Sequence, residues 1–544
     1  MMIDENTFDT FDIPKLVDTL LKNHADKKVE KAAVYSAVKN SISIELLINS
    51  LSEIFRLPQN QIEQEIKTFG FQKLIDQYRL KNSRTDCLDG EEKDILSICS
   101  NSNVLNPFPD LFKIQSNPNF TDPVYMLGDQ KETFSNLFQS VSSSFSCDPF
   151  INLYRENVIG YFEDFISNIA PQIDKEMKSC FNGSSPQYLI TTGIGANEQF
   201  NHFVASINNY NRNRKLTWFI LNSPRHLSSL PDDVTVENTL FLEFSLSSVT
   251  EETVKIHEFT PRNAHRIVFS NKGPLRELGK RDGNLVLELP DQVSGRYGRN
   301  KTPILLAPMY VAGMDVETFW KDINIAINAF DINNTESLPF VIAKYILLYQ
   351  AQNNRNLIYL GCNDDDLLLL SDEFVQFWNE GVNKDGNDIL VSRFFGLPRD
   401  SHMNIEGLLG NRKNKMAIFL LRTNMRPKTF HRLVSPMIDP INLEHEGLHF
   451  GDEEVILSFA NYKRFSDLMP TIGIEISQKP SLRHAAVIGQ LFADITFIYS
   501  RLNGIDPGSN PEVKSVRDRS SELLGIVAEK LRRHNFSIEE ALVD

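Results

Sequence analysis

Gln376 and Glu380 stand four residues apart in QFWNEG, a spacing that places both on one face of a helix near its C-terminal end. A carboxylate held there can carry a proton between carbon atoms, provided it lies within hydrogen-bond reach and water is kept away. Arg296 lies in SGRYGRN, His402 in the loop sequence RDSHMN after FFGLP, and Lys514 just after a proline at a helix start in GSNPEVKSV. These side chains can stabilise developing negative charge and move protons. Taken singly, each is an ordinary solvated side chain. A fifth feature is FSLSSVTEET, residues 244–253, with five hydroxyls in ten positions between the apolar run TLFLEF and the amphipathic TVKIHEF. It reads as strand, tight turn and helix start. Hydroxyls and unpaired amides at a helix N-terminus suit an anion, phosphate above all, although Ser and Thr at that position also serve simply as caps.

Other motifs carry less. TGIGAN, residues 192–197, follows a strand and lets backbone approach a ligand, but it lacks the third glycine of a dinucleotide fingerprint. GPLRELGK, residues 273–280, has five residues between its glycines where a phosphate-binding Walker loop has four, and Arg281 where that loop needs Ser or Thr. HEGLH, residues 445–449, matches the HExxH zinc-protease pattern, which requires a continuous helix. Pro440 upstream, Gly447 within and Gly451 before the strand-like EVILSF argue against that helix.

The elements that must position these residues change along the chain. Its 544 residues suggest about three to four domains. An apolar share of 41% with 23% charged residues is that of a globular protein, and the formal net charge of −15 without a basic block argues against nucleic-acid binding. No uninterrupted apolar window of spanning length occurs, so no membrane segment is expected, and the acidic N-terminus does not read as a signal peptide. The five scattered cysteines fit free thiols in a reducing compartment, with neither disulfides nor a zinc ribbon. Residues 1–105 have helical periodicity, and 106–150 read as a Pro/Asn/Ser-rich connector. From there short apolar runs (QYLITT, LTWFILN, TLFLEF, RIVFS, NLVLEL) alternate with helical or turn segments over 151–330. PILLAPMYVAGMDVETFWKDINIAINAF reads as one long buried helical stretch. The pattern restarts over 331–544 with RNLIYLGCND and continues through MAIFLLR, EVILSF and TIGIEIS. The fold class is therefore α/β, with two doubly wound parallel sheets in tandem, an N-terminal helical region and C-terminal helices.

TGIGAN, SLSSVTEET, SGRYG, QFWNEG, SHMNIEG and NPEVKS occur in the order in which phosphoglucose isomerases carry their motifs. The chain resembles that family over residues 150–525, and SGRYGRNKTPILLAPMYVAGMDVETFW is similar to the isomerase part of transaldolase–glucose-6-phosphate isomerase fusions. The resemblance implies sugar isomerase (SIS) domains and interconversion of glucose 6-phosphate and fructose 6-phosphate, a step of glycolysis and gluconeogenesis. By position, Ser245, Ser247, Thr250 and Thr253 match hydroxyls of the phosphate loop. Gly193, Gly195 and Asn197 match the turn beneath the sugar, and Gln376 a glutamine on the phosphate side. His402, assisted by Lys514, matches the ring-opening group, Glu380 the base that moves the proton between C2 and C1, and Arg296 the cation that steadies the enediol. No metal or nucleotide cofactor is implied. In the family the histidine comes from a neighbouring subunit, so a cytoplasmic homodimer is implied.

The departures are specific. Ala196 and Asn197 replace the Gly-Ser of the family's GIGGS, Leu246 replaces a lysine and Val249 a threonine of the phosphate loop, and Gly381 replaces the serine after the glutamate. They leave open an inactive sugar-phosphate-binding regulator of the same fold, and isomerisation of a mannose phosphate.

Overall fold

The chain divides into two compact units, Met1–Ile98 and Cys99–Asp544. The structure, a computed structural model, describes residues 20–22, 51–52, 54–56, 62, 106–116, 131–148, 154–155, 158–193, 198–211, 214–245, 251–290, 295–353, 357–384, 390–396, 409, 414–425, 450–508 and 511–534. In the first unit these are short helical pieces that bury Leu20, Leu51, Phe55 and Ile62. The rest of the helical region expected at 1–105 lies outside the described residues.

The second unit opens inside the segment expected as a connector, with strand β1 (Lys113–Ser116) and helix α1 (Lys131–Ser144). Helices α2 (Val158–Asp164) and α3 (Ala170–Cys180) lead to β2 (Tyr188–Thr192), α4 (Gln199–Tyr210), β3 (Thr217–Leu221), β4 (Thr239–Phe244), α5 (Glu251–Phe259), β5 (His265–Phe269), α6 (Pro274–Arg281) and β6 (Leu285–Leu287). The five strands β2 to β6 pair in parallel in the order β3-β2-β4-β5-β6. Parallel neighbours require a crossover, supplied here by α4, α5 and α6. All six residues of β4 are buried, which is why its apolar run is nearly continuous rather than alternating. The strand order reverses between β2 and β4, and in such sheets ligands bind beyond the C-terminal ends of the strands at that point.

GPLRELGK forms α6, preceded by Gly273 at φ +79°. Gly279 lies in that helix against the Val268 and Val286 side chains, so this glycine serves helix–sheet packing. After the turn α7 (Gly295–Gly298), the long helical stretch is two pieces, α8 (Pro303–Val311) and α9 (Val316–Ala329). The break falls at Gly313, whose φ of +70° other residues rarely adopt, and Asp315 then caps α9 by accepting from the Thr318 N–H at 2.9 Å.

After α10 (Leu338–Asn353) a second sheet is built from β7 (Leu357–Cys362), α11 (Asp365–Gly381), β8 (Leu390–Gly396), β9 (Lys415–Arg422), α12 (Phe450–Leu468) and β10 (Thr471–Ile476). Its order is β1-β10-β9-β7-β8, parallel except for β1. The four parallel strands thus repeat the arrangement of the first sheet, with the reversal between β7 and β9. EVILSF, expected as a strand, is helical and lies within α12. Two causes act together. Parallel β9 and β10 need a crossover, and the apolar positions continue at helical spacing through Phe459, Tyr462 and Phe465 onto the outer face of β9, while Ile456 and Leu457 stay exposed.

Helices α13 (Leu482–Leu502) and α14 (Pro511–His534) complete the unit. Among the described residues α13 is the one helix of membrane-spanning length and hydropathy, and it is buried against α9, α10 and α11. One hydrophobic core joins these helices to the inner faces of both sheets. The expected boundary at 330/331 falls between α9 and α10, both of which pack on α13. Cys180 and Cys362 are not disulfide-bonded.

Candidate active site

At the first reversal point the sheet ends in hydroxyls. Thr191 and Thr192 close β2 and point to opposite faces. The Thr191 hydroxyl accepts the Trp218 indole N–H at 2.9 Å, whereas the Thr192 hydroxyl is buried without a partner. Ser245 follows β4 directly. Its N–H donates to the Phe269 carbonyl at 3.0 Å and its carbonyl accepts from the Ser270 hydroxyl at 3.2 Å, so the backbone is fixed. Its own hydroxyl is fully buried and unpartnered, as is that of Thr253 in the first turn of α5. A buried hydroxyl without a hydrogen bond costs about 1–3 kcal/mol, and Thr192 at the end of β2, Ser245 just past β4 and Thr253 in the first turn of α5 bring three of them to this end of the sheet. Glu251 and Glu252 begin α5 itself and are exposed, whereas Thr253 turns its hydroxyl inward.

Glu198 stands just beyond the TGIGAN turn, 7% exposed. Its Oε1 accepts from the Asn222 amide, at the end of β3, and lies 3.1 Å from His202 Nε2. This carboxylate and Asn222 border the same crevice.

The second half of the site is the C-terminal end of α11. Gln376 donates from Nε2 to Glu380 Oε1 at 2.9 Å, the one-turn contact their spacing predicts, and both are half-buried. Three contacts place this end. The Ser206 hydroxyl, late in α4, donates to Asp366 Oδ1 at the start of α11 at 2.8 Å. Phe200, at the start of α4, packs on Gly489, which also faces Asn300. Tyr297 stacks on Phe377 at 5.1 Å and its hydroxyl lies against Gly381. Helix α4 therefore runs antiparallel to α11, so the chain that follows TGIGAN and the Glu380 end of α11 lie toward the same side.

The same contacts explain Gly381. A Cβ there would meet the Tyr297 hydroxyl at 2.7 Å and Thr496 Cγ2 at 3.1 Å, which leaves no room for the serine of the resembling family. Arg296 immediately precedes Tyr297, so its backbone lies beside this helix end. Lys384, three residues past Gly381, donates to the Asp506 carbonyl at 2.7 Å and ties down the turn that precedes Pro511 and Lys514. The turn bearing Arg296 and the Glu380 end of α11 thus lie together, and the turn that leads into α14 is tied to the chain just past that end.

Beneath α7 lies a buried charge cluster. Arg155 pairs with Asp494 at 2.6 Å and donates to the Ile327 and Phe330 carbonyls. Lys301, 1% exposed, donates to the Tyr154 carbonyl at 2.7 Å, and burial pushes its ammonium down to about 7 against the opposing pull of Asp494. Tyr154 in turn packs on Tyr297 at 5.6 Å, so this cluster supports the turn that carries Arg296.

Of the expected site residues, Ser245, Thr253, Gln376 and Glu380 are placed as above, and Gly193 is buried directly after β2. Arg296 and Lys514 are placed on α7 and α14 by backbone alone. Gly195, Asn197, Ser247, Thr250, His402 and the HEGLH motif lie outside the described residues. Among the described residues no group of three or more His, Cys, Asp or Glu side chains is disposed to hold a metal. Sequence reasoning missed Thr192, Glu198, Asn222 and Tyr297. Thr192 opens TGIGAN and Glu198 directly follows it, so both were findable from that motif, whereas Asn222 and Tyr297 gain meaning only from packing.

No protein-family model matches the chain. It is 23% identical over 267 residues to the glucose-6-phosphate isomerase of Clostridioides difficile, covering 47% of this chain and 56% of that relative. Among solved structures it is similar to a hypothetical protein from Thermus thermophilus (TM-score 0.60, 16% identity, 76% of this chain and 100% of the other). A glucose-6-phosphate isomerase from Chlamydia trachomatis gives a TM-score of 0.53 at 14% identity, over 67% of this chain and 74% of the other. The aligned part thus spans about half the length of the curated relative, and the structural likenesses show the fold.

Proposed function

We propose that this chain, a distant relative of the glucose-6-phosphate isomerases with the phosphosugar-isomerase fold, interconverts glucose 6-phosphate and fructose 6-phosphate. The observation that carries the proposal is the set of buried, unpartnered hydroxyls of Thr192, Ser245 and Thr253 at the first reversal point. A phosphate monoester supplies the acceptor oxygens these donors lack. Ser247 and Thr250 complete the phosphate loop, and Gly193, Gly195 and Asn197 underlie the sugar.

With the phosphate held there, ring opening falls to His402 with Lys514. Glu380 then takes the proton from C2 of the open-chain aldose and returns it to C1, through an enediol whose negative charge Arg296 offsets. Gln376 orients the Glu380 carboxylate. The enzyme acts as a homodimer, with His402 reaching the neighbouring site.

A second reading, a sugar-phosphate-binding regulator without turnover, is favoured by Leu246 and Val249, which remove a cation and a hydroxyl from the loop. A coupled assay of fructose 6-phosphate conversion on the parent and Glu380→Gln separates the two. Turnover that collapses in the variant is expected. Fructose 6-phosphate binding without parent turnover would establish the regulator instead.

A further inference from the structure

Behind the hydroxyl-bearing end of α5 lies a charge network that the proposed chemistry does not use. Glu243, two residues before Ser245 on β4, is fully buried, with Oε2 2.6 Å from His257 Nδ1 on α5. The other ring nitrogen, Nε2, lies 3.2 Å from Asp282 Oδ2, just after α6. Arg266 on β5 closes the network. Its Nε stands 3.5 Å from Glu243 Oε1, and its Nη2 donates to the Thr260 and Pro261 carbonyls, just past α5, at 2.9 and 2.7 Å. Outside, Arg281 grips Asp282 at 2.8 and 3.0 Å. That grip, with the His257 contact, holds the Asp282 carboxyl down to about 2.

The imidazole thus stands between two carboxylates, with one ring nitrogen toward each. Such buried networks add little net stability compared with apolar residues of the same volume, but they admit few geometries. An apolar face alone would let α5 slide on β4 and β5. This network fixes it at its C-terminal half, and through the helix it fixes the Thr253 hydroxyl relative to Ser245.

We propose that His257, clamped between Glu243 and Asp282, is a positioning residue for the anion site, holding α5 so that Thr253 and Ser245 stay aimed at a phosphate monoester. The proposal rests on the sugar-phosphate reading of the crevice.

The test compares the full-length parent, His257→Gln and Asp282→Asn. A control, Phe465→Leu, lowers stability from the outer core of the second sheet. Fructose 6-phosphate is titrated calorimetrically, KM and kcat are measured, and amide hydrogen exchange is followed over residues 251–259. His257→Gln is expected to raise Kd and KM about tenfold (about 1.4 kcal/mol), to leave kcat within about threefold, and to speed exchange in α5. Asp282→Asn keeps the shape, moves KM in the same direction by less, and serves if His257→Gln does not fold. The control leaves KM unchanged. A parent that binds no fructose 6-phosphate overturns the sugar-phosphate reading and this proposal with it. Tight parent binding that both network variants retain overturns the proposal alone.

Discussion

The two sheets share one strand order and therefore offer two crevices, but they finish them differently. At the first reversal point the strands end in Thr192 and Ser245, hydroxyls buried without partners. At the second, the chain closes its own gap. Asn363, just past β7, donates to the Arg422 carbonyl at 2.9 Å and accepts the Arg422 N–H at 2.7 Å. The Arg422 guanidinium pairs with Asp364 at 2.7 Å, and Asp364 caps α11 by accepting from the Asp366 and Leu367 N–H groups. One topology thus serves two ends. In the second sheet Asn363, Arg422 and Asp364 pair with one another and anchor a helix; in the first the hydroxyls of Thr192, Ser245 and Thr253 are buried without partners. The anchored helix is α11, whose far end carries Glu380.

The contrast can be broken at several points. The largest effect is expected from Glu380→Gln, which keeps the shape and removes the base: kcat should fall about 10²- to 10⁴-fold with KM little changed. Arg422→Met removes the ion pair at the closed crevice and should cost about 2–3 kcal/mol of stability, read by urea unfolding, without moving KM. Gly381→Ala should cost about 2 kcal/mol through the Tyr297 clash, although alanine favours helix, and Tyr297→Phe in the same chain should recover most of it.

Lys301→Met tests the buried cluster by pH. Above about pH 7 the folded chain has released the Lys301 proton that the unfolded chain keeps up to the ordinary lysine range. Stability from this group therefore rises with pH from 7 toward 10, by up to about 1.4 kcal/mol per unit, and Lys301→Met should lose that slope relative to the parent. Unfolding of both chains at pH 7, 8 and 9 reads the difference. The smallest effect is the most pointed. Thr253→Val replaces an unsatisfied hydroxyl by a methyl group and should leave the ligand-free protein equally stable, or more so by about 1 kcal/mol, while KM rises.

Much of this was legible in the residues. The central strands β2, β4 and β5 of the first sheet, buried on both faces, announce themselves as short apolar runs, and the Gln376–Glu380 contact follows from helical spacing. EVILSF was misread because a six-residue apolar run has no period of its own; only the parallel pairing of β9 with β10, a long-range fact, requires a helix there. The strand β1 was hidden for a similar reason: KIQS has little strand character, and its place is set by its antiparallel partner β10. The Glu243–His257 pair leaves no local signal, since its members meet only after α5 folds back on β4. The distinction between the two crevices was equally out of reach. TGIGAN and LGCND look alike in sequence, and the difference lies in what Arg422, far along the chain, does with Asn363 and Asp364.

The most direct test of the central claim, that the ligand belongs to the first crevice, is calorimetric titration of fructose 6-phosphate into the parent, Thr253→Val and Arg422→Met. The account expects binding to weaken about tenfold or more in Thr253→Val, the cost of about one lost hydrogen bond to a charged group, and to stay within twofold of the parent in Arg422→Met. Binding that survives in Thr253→Val and fails in a folded Arg422→Met would contradict it and move the site to the second sheet.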